Sequence, residues 1–179
     1  MRLFIGYLLP AEQKQFVLRL QSEINELGAD TKSVENENLH LSMSFLGETT
    51  AEDAEKIKKD LTGVVSKFKK IDITFCGTKA IPSKSFVRVI ALDVHEETGN
   101  LSRLQEEIRN KIGGDAKPPH LTLCRIRSTK NKERLIEFVE KYETACFSAL
   151  TVPAIQLIES KLGRNGPEYS VISESALQG

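Results

Sequence analysis

Apolar residues fall along this chain in two rhythms, a two-residue alternation and a helical recurrence, and the order of the rhythms repeats. Residues 2–9 (RLFIGYLL) form a short apolar run stopped by Pro10, after which Phe16, Leu20, Ile24 and Leu27 recur at helical spacing with Val17 alongside. A strand followed by a helix over 11–27 is predicted. Residues 39–46 (LHLSMSFL) alternate as a strand does, and Gly47 ends the run. The charged stretch 51–68 then places Ala54, Ile57, Leu61, Val64, Val65 and Phe68 on one face, which predicts a second helix. A further strand is expected at 71–80 (IDITFCGTKA), closed by Pro82.

The same order then returns. Segment 85–93 (SFVRVIALD) reads as a strand, and 98–112 reads as a helix through Leu101, Leu104, Ile108 and Ile112, stopped by Gly113 and Gly114. After Pro118 and Pro119 comes an alternating strand at 120–127 (HLTLCRIR), then a helix at 131–143 through Leu135, Phe138, Val139 and Tyr142. Segment 147–160 stands where 71–80 stood, with Pro153 implying an edge or a bulge, and a last strand is expected at 168–174. The halves, approximately 1–82 and 84–160, therefore repeat strand, helix, strand, helix, strand. This predicts an α+β fold with two pseudo-symmetric lobes, each an antiparallel sheet with two helices, facing across a central cleft. No Pro/Ser-rich linker divides the chain, so residues 1–179 are expected to form a single bilobal domain with rigidly packed lobes.

Composition narrows the function. Lysine plus arginine number 25 and aspartate plus glutamate number 25, which argues against gripping a long nucleic-acid backbone, because that needs net positive charge. Any contact with RNA is expected to be local, at an end. Cys76, Cys124 and Cys146 lie far apart without CxxC spacing, and are expected to be buried reduced thiols rather than zinc ligands or a disulfide framework. The first apolar run is too short to span a bilayer and no small-residue cleavage site follows it, so the expectation is a cytoplasmic protein with no membrane association. A monomer is expected.

Only three histidines occur. At an offset of 80, His40-Leu41-Ser42 aligns with His120-Leu121-Thr122, each on a strand followed by a helix. Residues two apart on a strand share a face, about 6–7 Å apart, so each histidine gains a hydroxyl neighbour while Leu41, Met43, Leu121 and Leu123 take the core side. Two such units facing each other would supply one imidazole as base, one imidazolium as acid, and two hydroxyls for an anion between them. That set suits in-line displacement at phosphorus and requires no metal or other cofactor. His95, in VHEET, lacks both the alternating strand and the hydroxyl, and is expected to be a surface residue.

The two motifs, HLSM at 40–43 and HLTL at 120–123, resemble the paired HxTx signature of the 2H phosphoesterase superfamily. Within it, the chain is most similar to the RNA 2',3'-cyclic phosphodiesterases, historically called 2'-5' RNA ligases. The opening RLFIGYLLP and the closing LIESKLGRNGPEYSV resemble the two ends of that family. The resemblance implies hydrolysis of a 2',3'-cyclic phosphate on RNA ends or nucleotides to a 2'-phosphate. It implies His40 as proton donor to the 3'-oxygen, His120 as proton acceptor from water, and Ser42 and Thr122 as the hydroxyl positions. It also implies Phe45 as a base-stacking residue and Arg125 as a phosphate contact. Ser42 stands where the family has threonine, which predicts a modest change. Strict alternation places a residue five after a histidine on the opposite face, so Phe45 and Arg125 reach the cleft only if each strand bends or bulges near the fourth position. Arg127 is a substitute phosphate contact, and Lys161, Arg164 and Asn165 are expected in a solvated turn. Cleavage or ligation of 2'-5' linkages, opening of a small cyclic nucleotide, and a non-catalytic RNA-end-binding module remain alternatives.

Overall fold

A computed structural model describes residues 1–179. Its strands and helices in chain order are β1 (Arg2–Leu8), α1 (Gln15–Glu26), β2 (Thr31–Ser33), β3 (His40–Glu48), α2 (Ala51–Val65), β4 (Ile71–Pro82), β5 (Val87–His95), α3 (Asn100–Lys111), β6 (His120–Ile126), α4 (Lys132–Lys141), β7 (Cys146–Val152), β8 (Ala154–Leu162) and β9 (Pro167–Ala176). Each long element arises where the matching apolar rhythm predicts it. The stop and start signals also act locally: the Thr50 hydroxyl caps α2 by accepting from the Asp53 amide at 3.1 Å.

The strands make one nine-stranded antiparallel sheet in the order β7-β4-β5-β6-β3-β1-β8-β9, with β2 added to β6. Its centre is a narrow join: β3 and β6 share only the rungs Leu41 to Leu121 and Ser42 to His120. On one side of that join lie β3, β1, β8 and β9, on the other β6, β5, β4 and β7 with β2 added, and each lobe carries two helices, as the repeat predicts. The lobes are not the sequence halves, however. Strand β4, from the first half, pairs with β5 and β7, and β8, from the second half, pairs with β1. The helices cross over too: α1, which follows β1, packs on β6, while α3, which follows β5, packs on β3 and α2. Each half therefore contributes to both walls of whatever lies at the join.

Two expectations need correction. Segment 147–160 is two strands, because Pro153 has no N–H for a ladder and separates β7 on β4 from β8 on β1. Cys76 and Cys146 form a disulfide, not two reduced thiols, since the β4–β7 register sets them directly opposite each other despite a separation of 70 residues. Cys124 alone is free, and buried. The core is one contiguous cluster of 34 buried apolar residues that includes Leu41, Met43, Leu121 and Leu123, so the helix-facing side of both motif strands is filled as their alternation requires. No helix is long and apolar enough to cross a membrane.

Candidate active site

The open face of the sheet, opposite the helices, gathers the chemistry. Antiparallel pairing sets Ser42 opposite His120, and by the same register His40 falls opposite Thr122. The two histidines are thus diagonal neighbours across the join, a relationship that places β carbons roughly 7 Å apart. That separation suits two imidazoles addressing opposite sides of one phosphorus.

Each motif strand carries a bulge at the same place. Gly6 pairs with Ser42 and Ile5 with Ser44, so Met43 is an extra residue on β3. Ala91 pairs with Thr122 and Ile90 with Cys124, so Leu123 is an extra residue on β6. An extra residue reverses the alternation beyond it. Phe45 therefore returns to the face of Ser42, and Arg125 to the face of Thr122. Phe45 is 41% exposed and its ring lies 5.9 Å from that of Phe4, while Arg125 lines the same cavity as His40, Ser42 and Thr122. Arg127 takes no part in that cavity, because its neighbours are Phe86, Arg88 and Lys132 on the outer side of the lobe.

The histidines are held alike. The His40 Nδ1 lies 2.7 Å from the Asn38 carbonyl and the His120 Nδ1 lies 2.9 Å from the Pro118 carbonyl, in each case two residues upstream. A carbonyl only accepts, so both rings carry the Nδ1 proton and leave Nε2 free to exchange one; His40 lines the inner cavity, and His120 stands across the join from Ser42 without lining it. The His40 Nε2 accepts from the Ser42 hydroxyl at 3.0 Å. Burial pushes the His40 imidazole down to about 4, opposed by its bond to Asn38 and reinforced by the charges of His120 and Arg125. His120 is also lowered, first by burial and then by Lys79 and Lys117, against the pull of the Pro118 carbonyl and Asp93.

The inner cavity, about 120 Å³, is lined by both hydroxyl residues, His40, Phe45 and Arg125, and also by Lys32, Glu35 and Tyr169. It opens into an outer groove of about 620 Å³ that shares Phe45, Arg125, Pro167 and Tyr169 and extends to Arg2 and Lys161. Tyr169 stands edge-on to His40 with ring centroids 5.4 Å apart, and burial raises its phenol. Its place in the closing GPEY segment was the sequence signal for it. Lys32 bridges Glu35 at 3.1 Å and donates to the Asn165 carbonyl at 2.9 Å, which ties the 163–166 turn to a cavity residue, while Arg164 and Asn165 are exposed. Lys161 lines the groove and pairs with Glu159, not with a cleft residue. His95 is exposed, as expected, but it is the last residue of β5, opposite Thr74, and belongs to a separate groove of about 460 Å³. No group of three or more His, Cys, Asp or Glu side chains is arranged to hold a metal ion.

Comparison with known proteins agrees with this overall fold. A family model described as LigT like Phosphoesterase matches residues 8–91 and 92–169. An RNA 2',3'-cyclic phosphodiesterase of Methanocaldococcus jannaschii is 35% identical over 181 residues, covering 97% of this chain and 99% of the relative. One from Aquifex aeolicus is 31% identical over 186 residues, covering 99% and 98%. Among solved structures, TT0787 of Thermus thermophilus superposes with a TM-score of 0.80 at 23% identity, over 100% of this chain and 99% of the other. E. coli LigT complexed with ATP gives 0.76 at 24% identity, over 99% and 98%. With its two matched repeats, its shared architecture and relatives aligned over nearly their full length, the chain belongs to the LigT-like phosphoesterase family.

Proposed function

We propose that this family member is an RNA 2',3'-cyclic phosphodiesterase in which His40 and His120 are the acid and base. The observation that carries the reading is the diagonal pair of imidazoles across the β3–β6 join, each held through Nδ1 by a carbonyl two residues upstream, beside a cavity that His40 lines with Ser42, Thr122 and Arg125. The curated relatives named above carry that activity by name, and they align along the whole chain.

In the proposed reaction a water gives its proton to the His120 Nε2 as it attacks phosphorus in line with the 3'-oxygen. The P–O3' bond breaks, and the His40 Nε2 proton passes to the departing oxygen, leaving a 2'-phosphate and a 3'-hydroxyl. Arg125 and the hydroxyls of Ser42 and Thr122 hold the non-bridging oxygens as charge builds on them. Phe45 offers its exposed ring to the terminal base. Burial drives both imidazoles towards neutrality, so the acid must acquire its proton with the substrate. An anionic cyclic phosphate supplies the reason, since a negative charge beside Nε2 favours the imidazolium. The turnover leaves His40 neutral and His120 charged, and exchange with solvent resets them.

The test is to incubate the protein with 2',3'-cyclic AMP and with an oligonucleotide ending in a cyclic phosphate, and to identify the product isomer. A 2'-phosphate is expected, and His40→Ala or His120→Ala should lower kcat by orders of magnitude while substrate binding persists. A 3'-phosphate product, or near-normal turnover by either variant, would overturn the assignment.

A further inference from the structure

The bulges raise a bonding problem. An extra residue in a ladder leaves backbone groups without strand partners, and a buried carbonyl without a donor is costly. The carbonyls concerned are those of Met43 and Leu123, both residues fully enclosed in the core. Each is met by a glutamine from the helix that crosses over from the other half, and the Leu123 carbonyl accepts from the Val34 amide at 3.0 Å as well. Gln21 of α1 donates through Nε2 to the Leu123 carbonyl at 2.9 Å, and Gln105 of α3 donates through Nε2 to the Met43 carbonyl at 2.7 Å.

The second proton of each amide is used in a matching way. Gln21 also donates to the Val34 carbonyl at 2.9 Å, on the chain leading into β3, and Gln105 donates to the Lys117 carbonyl at 2.5 Å, on the chain leading into β6. Each amide therefore ties the bulge of one motif strand to the approach of the other. Those approaches supply the Asn38 and Pro118 carbonyls that orient the imidazoles. Gln21 is only 5% exposed, and a primary amide at such a position is retained only where both its protons are bonded.

We propose that Gln21 and Gln105 are positioning residues for the substrate side chains. Gln21 fixes the Leu123 bulge that turns Arg125 into the cleft, and Gln105 fixes the Met43 bulge that turns Phe45 into it. This rests on the reading that Arg125 and Phe45 touch the substrate, and it makes the two glutamines specific to different parts of it. Gln21 serves the phosphate and Gln105 serves the base.

The test uses Gln21→Met and Gln105→Met, which keep the length and bulk of the side chain and remove its donors. Each is combined with Arg125→Ala and with Phe45→Ala, and kcat and KM are measured with 2',3'-cyclic AMP alongside thermal unfolding. Each methionine variant should raise KM about tenfold, the value of one well-placed hydrogen bond. The matched pairs should then be non-additive: Gln21→Met adds less than about twofold to Arg125→Ala, and Gln105→Met adds less than about twofold to Phe45→Ala. The crossed pairs should multiply in full. A ribose 2',3'-cyclic phosphate without a base should lose its sensitivity to Gln105→Met and keep its sensitivity to Gln21→Met.

A purely structural role would lower the unfolding temperature and act alike in matched and crossed backgrounds, and that outcome overturns the proposal. If Arg125→Ala and Phe45→Ala themselves leave KM unchanged, the failure lies in the proposed function and the positioning role falls with it. Where a methionine variant does not fold, Gln21→Asn and Gln105→Asn, whose amides stop one methylene short of the carbonyl, supply the same cycles.

Discussion

Ser42 stands directly opposite His120 on one of the two rungs that join the lobes. That single register fixes the site. Shifting β3 by one residue against β6 would send His40 and Ser42 to the helix side and Leu41 to the cleft, so the packing of Leu41 and Leu121 in the core guards the chemistry on the other face. It also makes the histidines diagonal, which leaves room for one phosphorus between them and gives each a hydroxyl both along its own strand and across from it. The join is short because other partners take the same edges beyond it: β2 pairs with β6 from Cys124 to Ile126, and Asp115 bridges Phe45 of β3.

The pH dependence of kcat/KM follows from the lowered imidazoles. In the free protein catalysis needs one ring protonated and the other neutral, yet His40 has been driven to about 4 and His120 lies below its usual value as well. At neutral pH the protonated fraction is small and grows as the pH falls. We expect kcat/KM to rise from pH 7.5 downwards and to peak below 6.5. The profile of kcat should sit at higher pH, because the bound anion raises both groups. Steady-state rates over pH 4.5–8.5 check this, and a kcat/KM optimum above 7.5 would contradict it.

The same group makes stability depend on pH. The folded value for His40 is depressed from 6.5 to about 4, so the unfolded chain binds the proton more tightly. The stabilisation is complete above about 6.5 and is lost as the pH falls towards 4. Between pH 7 and pH 5 the loss is about 2 kcal/mol for this one group. Urea unfolding at the two pH values should show that loss in the natural protein and little of it in His40→Gln.

Much of this was legible in the chain. The alternation in LHLSMSFL and HLTLCRIR located the two motif strands, and the hydroxyls two residues after His40 and His120 marked the face they share. The bulges were not legible, because methionine and leucine are equally at home as extra residues and as regular core positions. The faces of Phe45 and Arg125 were therefore open until the pairing of β3 with β1 and of β6 with β5 was known. Strand β2, three polar residues, carries no alternation to read. The Cys76 to Cys146 bridge and the crossing of α1 and α3 depend on partners 62 to 102 residues away, which periodicity within a window does not see.

Arg125 links substrate affinity to the acid. Its charge is one of the causes that lower His40, so Arg125→Ala should raise the His40 value as well as weaken phosphate binding. Loss of charge-assisted hydrogen bonds to a phosphate corresponds to an increase in KM of about 10- to 100-fold. An NMR titration of the imidazole resonances gives the second readout. An upward shift for His40 is expected, and an unchanged titration would mean that the guanidinium does not face the ring.

Gly6 is where the β1 edge of the site tolerates no side chain. It pairs with Ser42 at the register shift, and a β carbon there would lie 2.5 Å from the Leu41 carbonyl oxygen. That oxygen belongs to the backbone of β3 between His40 and Ser42, so it cannot swing aside as a flexible side chain would. Gly6→Ala should cost about 1–3 kcal/mol of stability, the range for overpacking a filled interior. It should also lower kcat/KM, since the strand that must yield carries both catalytic-face groups. Gly63, exposed in the interior of α2 with nothing within 4 Å of an added β carbon, provides the contrast. Gly63→Ala should raise stability by about 0.5–1 kcal/mol through helix propensity and leave kcat/KM unchanged. Thermal unfolding and steady-state kinetics on the two variants separate the effects: a Gly6→Ala protein as stable and active as its parent would mean that β3 approaches β1 less closely than the Leu41 carbonyl contact requires.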